Sequence, residues 1–207
     1  MTLQLGADDG GLAAPVMFAA VAEIARAVQV PVTADLEGGY GLPAAELVRH
    51  LAATGAVGCN LEDSVGGRLV DADAHAGFLA AVRAAADSGG IDLVINARID
   101  AHADGAGTQA QQLADCIRRA RLYLSAGADC VYPLFLSGTD AVRAVTERVD
   151  GPVNVLFRSG VASIDELAAA GVARISFGSA LRRPGSSRLP EMLSAIRAGD
   201  DPFAASG

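Results

Sequence analysis

The run Thr33-Ala34-Asp35-Leu36-Glu37-Gly38-Gly39-Tyr40-Gly41 follows directly on the apolar Val30-Pro31-Val32 and sets two carboxylates two residues apart, ahead of a glycine turn. In an extended segment residues i and i+2 point to the same side. Asp35 and Glu37 can therefore converge on one divalent cation while Ala34 and Leu36 pack the other way. Gly38, Gly39 and Gly41 allow a sharp turn that brings the backbone close to a ligand. Taken alone, the same pattern also fits a solvated strand end.

Two later segments repeat the polar ending. In Gly58-Cys59-Asn60-Leu61-Glu62-Asp63-Ser64, alternation puts Asn60 and Glu62 on one face and Asp63 on the other. In Val94-Ile95-Asn96-Ala97-Arg98-Ile99-Asp100, the residues sharing a face are Asn96, Arg98 and Asp100. Asp35, Glu37 and Glu62 are hard oxygen donors suited to Mg²⁺, which keeps several waters and leaves room for substrate oxygens. Arg98 offers a planar fork for a carboxylate or phosphonate, and Asn96 a hydrogen bond to a carbonyl or enolate. A cation beside an arginine stabilises an enolate formed as a bond next to a carbonyl is made or broken.

The elements that must carry these groups follow one rhythm: an alanine-rich helix, a Gly or Pro break, then a short β-branched strand. Helices are expected over Leu12–Val28, Ala44–Thr54, Ala74–Ser88, Thr108–Ala126, Thr139–Val149, Ser163–Ala170 and Leu189–Ala198. Strands are expected over Val30–Asp35, Val57–Leu61, Leu93–Ala97, Cys130–Phe135, Val153–Leu156 and Ala173–Phe177. Such alternation predicts a parallel sheet covered by helices. Polar residues at successive strand ends favour a (β/α)8 barrel, whose active sites lie there, over an open doubly wound sheet. No composition shift or linker divides the chain, so residues 1–207 are expected to form a single barrel domain.

The net charge of −8 disfavours nucleic acid as a partner. All 16 basic residues are arginine. The absence of lysine excludes Schiff-base chemistry, a pyridoxal phosphate linkage and a P-loop. Cys59, Cys116 and Cys130 lie far apart without C-x-x-C spacing and read as buried apolar residues. His50, His75 and His102 form no ligand pair; His102, close after Asp100, is a candidate proton donor with a solvated loop residue as the alternative. No apolar run is long enough to cross a membrane, and the first residues do not read as a signal peptide, so a cytoplasmic location is expected.

The Asp35–Gly41 run, Asn60-Leu61-Glu62-Asp63 and Asn96-Ala97-Arg98-x-Asp100, in this order and spacing, resemble the isocitrate lyase/phosphoenolpyruvate mutase superfamily, and the similarity extends through Gly178. The resemblance implies an α/β barrel, a Mg²⁺ ion, and cleavage or formation of C–C or P–C bonds beside a 2-oxo acid through an enolate. By the same resemblance Asp35 coordinates the metal directly, Glu37 and Glu62 hold metal-bound waters, and Asp9 is a further outer carboxylate. Arg98 grips the substrate's anionic group and acts in catalysis, Asn96 binds substrate, and Gly38, Gly39, Tyr40 and Gly41 close over it. For Asp9 a loop or helix-cap role is the alternative. The family also implies a homo-oligomer.

Two departures from the family pattern bear on function. Isocitrate and methylisocitrate lyases carry a K-(K/R)-C-G-H loop after the glutamate, whereas here the stretch reads Asp63-Ser64-Val65-Gly66-Gly67-Arg68-Leu69-Val70-Asp71. Those two activities are therefore not expected. Gly66-Gly67 would let this stretch move as a lid carrying Arg68, with a plain exposed loop as the alternative. The family's first strand, first helix and second strand find no counterpart before Asp9, so the fold expected is a (β/α)8 TIM-barrel type lacking its first two strands. The expected function is that of a Mg²⁺-dependent lyase, mutase or hydrolase of small 2-oxo or 2-hydroxy acids. The alternatives are an inactive fragment serving as an assembly or binding module, and a phosphate-binding barrel using the Gly171–Ala180 run.

Overall fold

Local sequence chemistry sets the helix boundaries. In the computed structural model, which describes residues 12–102, 107–136, 138–178, 180 and 189–204, the order is α1 (Ala14–Ala27), β1 (Thr33–Asp35), α2 (Ala44–Thr54), β2 (Gly58–Glu62), β3 (Ser64–Val65), β4 (Arg68–Leu69), α3 (Ala72–Ser88), β5 (Val94–Ile99), α4 (Gln109–Ser125), β6 (Cys130–Pro133), α5 (Thr139–Thr146), β7 (Asn154–Leu156), α6 (Ile164–Ala169), β8 (Arg174–Ser176) and α7 (Leu189–Ala198). Asp71 caps α3 by accepting from the Ala74 amide. Thr108 with Gln111, and Ser163 with Glu166, form reciprocal capping boxes on α4 and α6. Every helix and strand expected from the sequence is present within a few residues. The difference is the β3–β4 hairpin, at the stretch for which the sequence left a mobile lid and a plain loop both open.

β1, β2, β5 and β6 pair in that order, all parallel; β7 pairs parallel with β8, and a Val131–Val153 bridge joins β6 to β7. Among the described residues the six parallel strands thus follow one another in chain order, as consecutive strands of a TIM-type barrel do. Burial follows the same geometry. On β1 the middle residue Ala34 is buried against the core, while Thr33 and Asp35 are exposed on the other face. Arg174 of β8 reaches across to the Thr33 hydroxyl of β1 at 3.5 Å.

The core lies between the sheet and its helices. Leu36, Leu47, Leu51, Leu61, Leu79, Ile95, Ile99, Val131 and Val142 are wholly enclosed there, each side chain contributing about 1.5–3 kcal/mol by leaving water. The three cysteines are buried and unbridged, as the sequence indicates. Burial pushes the Cys59 and Cys116 thiols up to about 12 and Cys130 to about 11, which keeps them protonated and inert. Val57 and Val94, exposed at the lower ends of adjacent strands, lie at the opposite end of the sheet from the polar cluster.

Candidate active site

Register delivers the polar ends to one mouth. Asp35 of β1 stands opposite Asn60 of β2, Asn60 opposite Asn96 of β5, and Glu62 opposite Arg98. Parallel partners in register share a face, so the groups read from the sequence come together at the C-terminal ends of three neighbouring strands. Asp9 lies outside the described residues.

The first carboxylate pair is not held by strand alternation. β1 ends at Asp35, and Glu37 beyond it takes a left-handed conformation with φ 52°. The turn sets their spacing: the Glu37 amide donates to Asp35 Oδ1 at 3.3 Å, and the Gly39 amide to the Leu36 carbonyl at 2.8 Å. Gly39 has φ 90° and a Cβ there would stand 2.7 Å from Phe78 Cζ. Glycine is required at this point both by conformation and by space. Tyr40 follows with φ 56°, its hydroxyl enclosed and without a hydrogen-bond partner among the described residues. Burial, then Glu37, Asp35 and Glu62, push its phenol up, so it stays a hydrogen-bond donor at neutral pH.

Arg98 sits at the centre of a carboxylate fork. Its Nη1 meets Glu62 Oε2 at 2.6 Å, while Nε and Nη2 grip the two oxygens of Asp100 at 2.7 and 3.0 Å. A guanidinium has five N–H donors, so edges of both Nη groups remain for a ligand among the described residues. Burial pushes the Glu62 carboxyl up to about 7; Arg98 opposes this, and Asp100, Asp35 and Glu37 add to it. Four carboxylates around one arginine make a site short of positive charge.

Asn96 lies at the register position beside Asn60. It is 1% exposed, and its Nδ2 donates to Asn60 Oδ1 at 2.7 Å, leaving its own oxygen enclosed without a partner among the described residues. One of its two amide N–H groups is spent on Asn60, which leaves the second N–H as well as the enclosed oxygen. His102 is half-buried, and burial lowers its pKa. The stretch read as either a lid or a plain loop is a tight hairpin whose two-glycine turn has φ 58° at Gly66 and 74° at Gly67, the left-handed pair of a type I′ turn.

Sequence reading missed several contributors. Tyr132 of β6 is buried beside Arg98 in the sheet register and shares a hydrogen bond with Ser176 of β8. Ser64 donates to Asp100 Oδ2 at 2.6 Å. Asp63, turned away from the mouth, is wholly buried and contacts Arg119 and Tyr123 of α4. Strand alternation places Asp63 on the helix side, but no spacing pattern signals partners 56 and 60 residues away.

The phosphoenolpyruvate phosphomutase family model matches residues 1–197. The chain belongs to this family. A Mycobacterium tuberculosis protein is 31% identical over 201 residues, covering 95% of this chain and 72% of the relative. The Arabidopsis thaliana chloroplastic carboxyvinyl-carboxyphosphonate phosphorylmutase is 34% identical over 160 residues, 71% of this chain and 46% of that protein. A Burkholderia cenocepacia J2315 crystal structure assigned as a phosphonomutase is 35% identical with a TM-score of 0.81, covering 96% of this chain and 80% of that one. This phosphomutase-family chain is therefore one of a superfamily of lyases and mutases acting on small acids, and the clustered residues lie where such barrels build their active sites.

Proposed function

We propose that this phosphomutase-family chain makes or breaks a C–C or P–C bond beside the carbonyl of a small 2-oxo or 2-hydroxy acid through an enolate. The observation that carries the reading is Arg98, bracketed by Glu62 and Asp100 at the mouth where Asp35 and Glu37 end the neighbouring turn. Its unspent N–H groups suit the carboxylate or phosphonate of such an acid.

The oxygen donors here fit a hard divalent cation. Asp35, Glu37 and Glu62 share one electrostatic neighbourhood: burial raises the Glu62 carboxyl to about 7, with Asp35 and Glu37 adding to the rise. Among the described residues no three acidic, histidine or cysteine side chains are close enough to cage an ion directly, so any hold on Mg²⁺ would run largely through its own waters. Asp35, Glu37 and Glu62 would hold it, with Asp9 assigned to the same shell by family resemblance. When bound, Mg²⁺ supplies Lewis acidity toward the acid's oxygens. The chain's own groups do the rest. Arg98 binds and orients the anionic end, Asn96 offers its second amide N–H to the carbonyl or enolate oxygen, and the amides and phenol of residues 38–41 cover the other side.

The wider setting proposed is one barrel domain over residues 1–207 working as a cytoplasmic homo-oligomer on a small-molecule carboxylate. A single contiguous core from Met17 to Ala170 supports the domain reading. No described helix is long and apolar enough to cross a membrane.

The test is a steady-state panel of phosphonopyruvate, oxaloacetate and 2-methylisocitrate with Mg²⁺. At least one acid should turn over, and Arg98→Met and Asp35→Asn should each lower kcat/KM by about 10²-fold or more. No turnover of any such acid, or full activity in both variants, overturns the proposal.

A further inference from the structure

We propose that the buried Asp63–Arg119–Tyr123 cluster is a positioning device that fixes Arg98 and the β3–β4 hairpin as one preformed wall of the site. The inference rests on the reading of Arg98 as the anion-binding residue and adds the residues that aim it.

Asp63 is a hub whose every polar group is used. Its backbone amide donates to the Arg98 carbonyl at 3.2 Å, and its Oδ1 accepts from the Asp100 amide at 2.8 Å. The Arg98–Asp100 segment is thus held from both sides of Ile99. Asp100 in turn grips Arg98 through two parallel bonds, with Ser64 steadying the same carboxylate. On the other side, the Asp63 carbonyl accepts from the Val70 amide at 2.9 Å, closing the base of the hairpin.

The second carboxylate oxygen of Asp63 is pinned by α4. Tyr123 Oη donates to Oδ2 at 2.7 Å and Arg119 Nη1 at 2.9 Å. The same Arg119 nitrogen reaches the Val70 carbonyl at 3.1 Å, and Arg119 Nε is anchored on Asp115 at 2.7 Å. The Asp100 amide and two α4 side chains therefore meet at a single wholly buried carboxylate, and the Asp63 carbonyl and Arg119 tie Val70 at the hairpin base to it. His75 packs edge-on against the Tyr123 ring at 5.0 Å and closes the pocket.

The physical need is clear. An arginine side chain carries several rotatable bonds, and a bidentate grip on a ligand is productive only if the fork is already oriented. Asp100 supplies the orientation only while its own backbone is fixed, and Asp63 fixes it. The hairpin has a two-residue turn and a bolted base, so the inference is of a site built before ligand arrives rather than by closure of a lid. Gly38 fits this picture, since a Cβ there would meet the Ser64 carbonyl at 3.2 Å, placing the glycine turn directly against the hairpin.

The experiment compares Tyr123→Phe and Asp63→Asn with Val142→Ala, a buried truncation on α5 that shares no bond with the cluster. Two properties are read on the full chain: solvent exchange of the Arg98 Nε–H by NMR without ligand, and oxalate affinity with Mg²⁺ by calorimetry. Exchange should rise by about tenfold in Asp63→Asn and by about threefold in Tyr123→Phe, and oxalate should bind more weakly by similar factors. Val142→Ala should lower the melting temperature while leaving both unchanged. Exchange and affinity in both cluster variants equal to Val142→Ala overturn the inference; if Asp63→Asn does not fold, Tyr123→Phe alone decides. Failure of the unmutated chain to bind oxalate counts against the proposed function, whereas the exchange measurement still decides the positioning role.

Discussion

Gly39→Ala is the sharpest test of how the first motif is built. Gly39 has φ 90°, and an added Cβ would lie 2.7 Å from Phe78 Cζ and 3.1 Å from Phe78 Cε1. The left-handed backbone costs a side chain about 1–2 kcal/mol, and forcing a methyl against the ring adds about 1–3 kcal/mol. Stiffening the unfolded chain returns about 0.4–1 kcal/mol, so a net loss of about 2–4 kcal/mol is expected. Gly41 is the internal control: its φ is 68°, but nothing lies within 4 Å of its added Cβ. Gly41→Ala should therefore cost only the backbone term, about 1 kcal/mol. Urea unfolding read by circular dichroism measures both. Because Phe78 is a half-buried ring on α3, Phe78→Leu should relieve the clash, with a favourable coupling of about 1 kcal/mol or more in the double-mutant cycle. Equal losses at positions 39 and 41, or zero coupling with Phe78, would refute the packing account of this turn.

Two further outcomes follow from caps and burial. Burial lowers the His75 pKa below its ordinary 6.5, so the unfolded chain binds this proton and the folded chain resists it. His75 therefore contributes stability above pH 6.5 that is lost as pH falls toward its folded value, by up to about 1.4 kcal/mol per pH unit. His75→Gln should flatten that limb of a stability–pH curve, and an unchanged limb would contradict the assignment. Ser163→Ala removes the acceptor that caps the Glu166 amide at 3.2 Å and should cost about 1 kcal/mol in chemical denaturation; a neutral result would mean the α6 capping box contributes nothing.

Periodicity and spacing carried a great deal of this fold. Short strands fall between helix-ending breaks, so Val57–Leu61 and Leu93–Ala97 were legible in the sequence, close to the Gly58–Glu62 and Val94–Ile99 found. The polar residues ending those runs named Glu62, Asn96 and Arg98 because a buried strand has no local reason to finish in charge. Alternation also placed Asp63 on the side away from them, where it is found.

Alternation is a local rule, and it says nothing about which distant groups become partners. Register decided that Glu62 pairs with Arg98 and that Asn96 spends a donor on Asn60. A left-handed turn, not the strand, decided how Asp35 and Glu37 are spaced. The packing of α4 against β5 and β6 brought Arg119 and Tyr123 onto Asp63 from 56 and 60 residues away. The sequence by itself determined the chemical groups at the strand ends and the face each one takes. Only the tertiary structure decided how they are aimed, because orientation comes from hydrogen bonds across elements that meet when the chain folds.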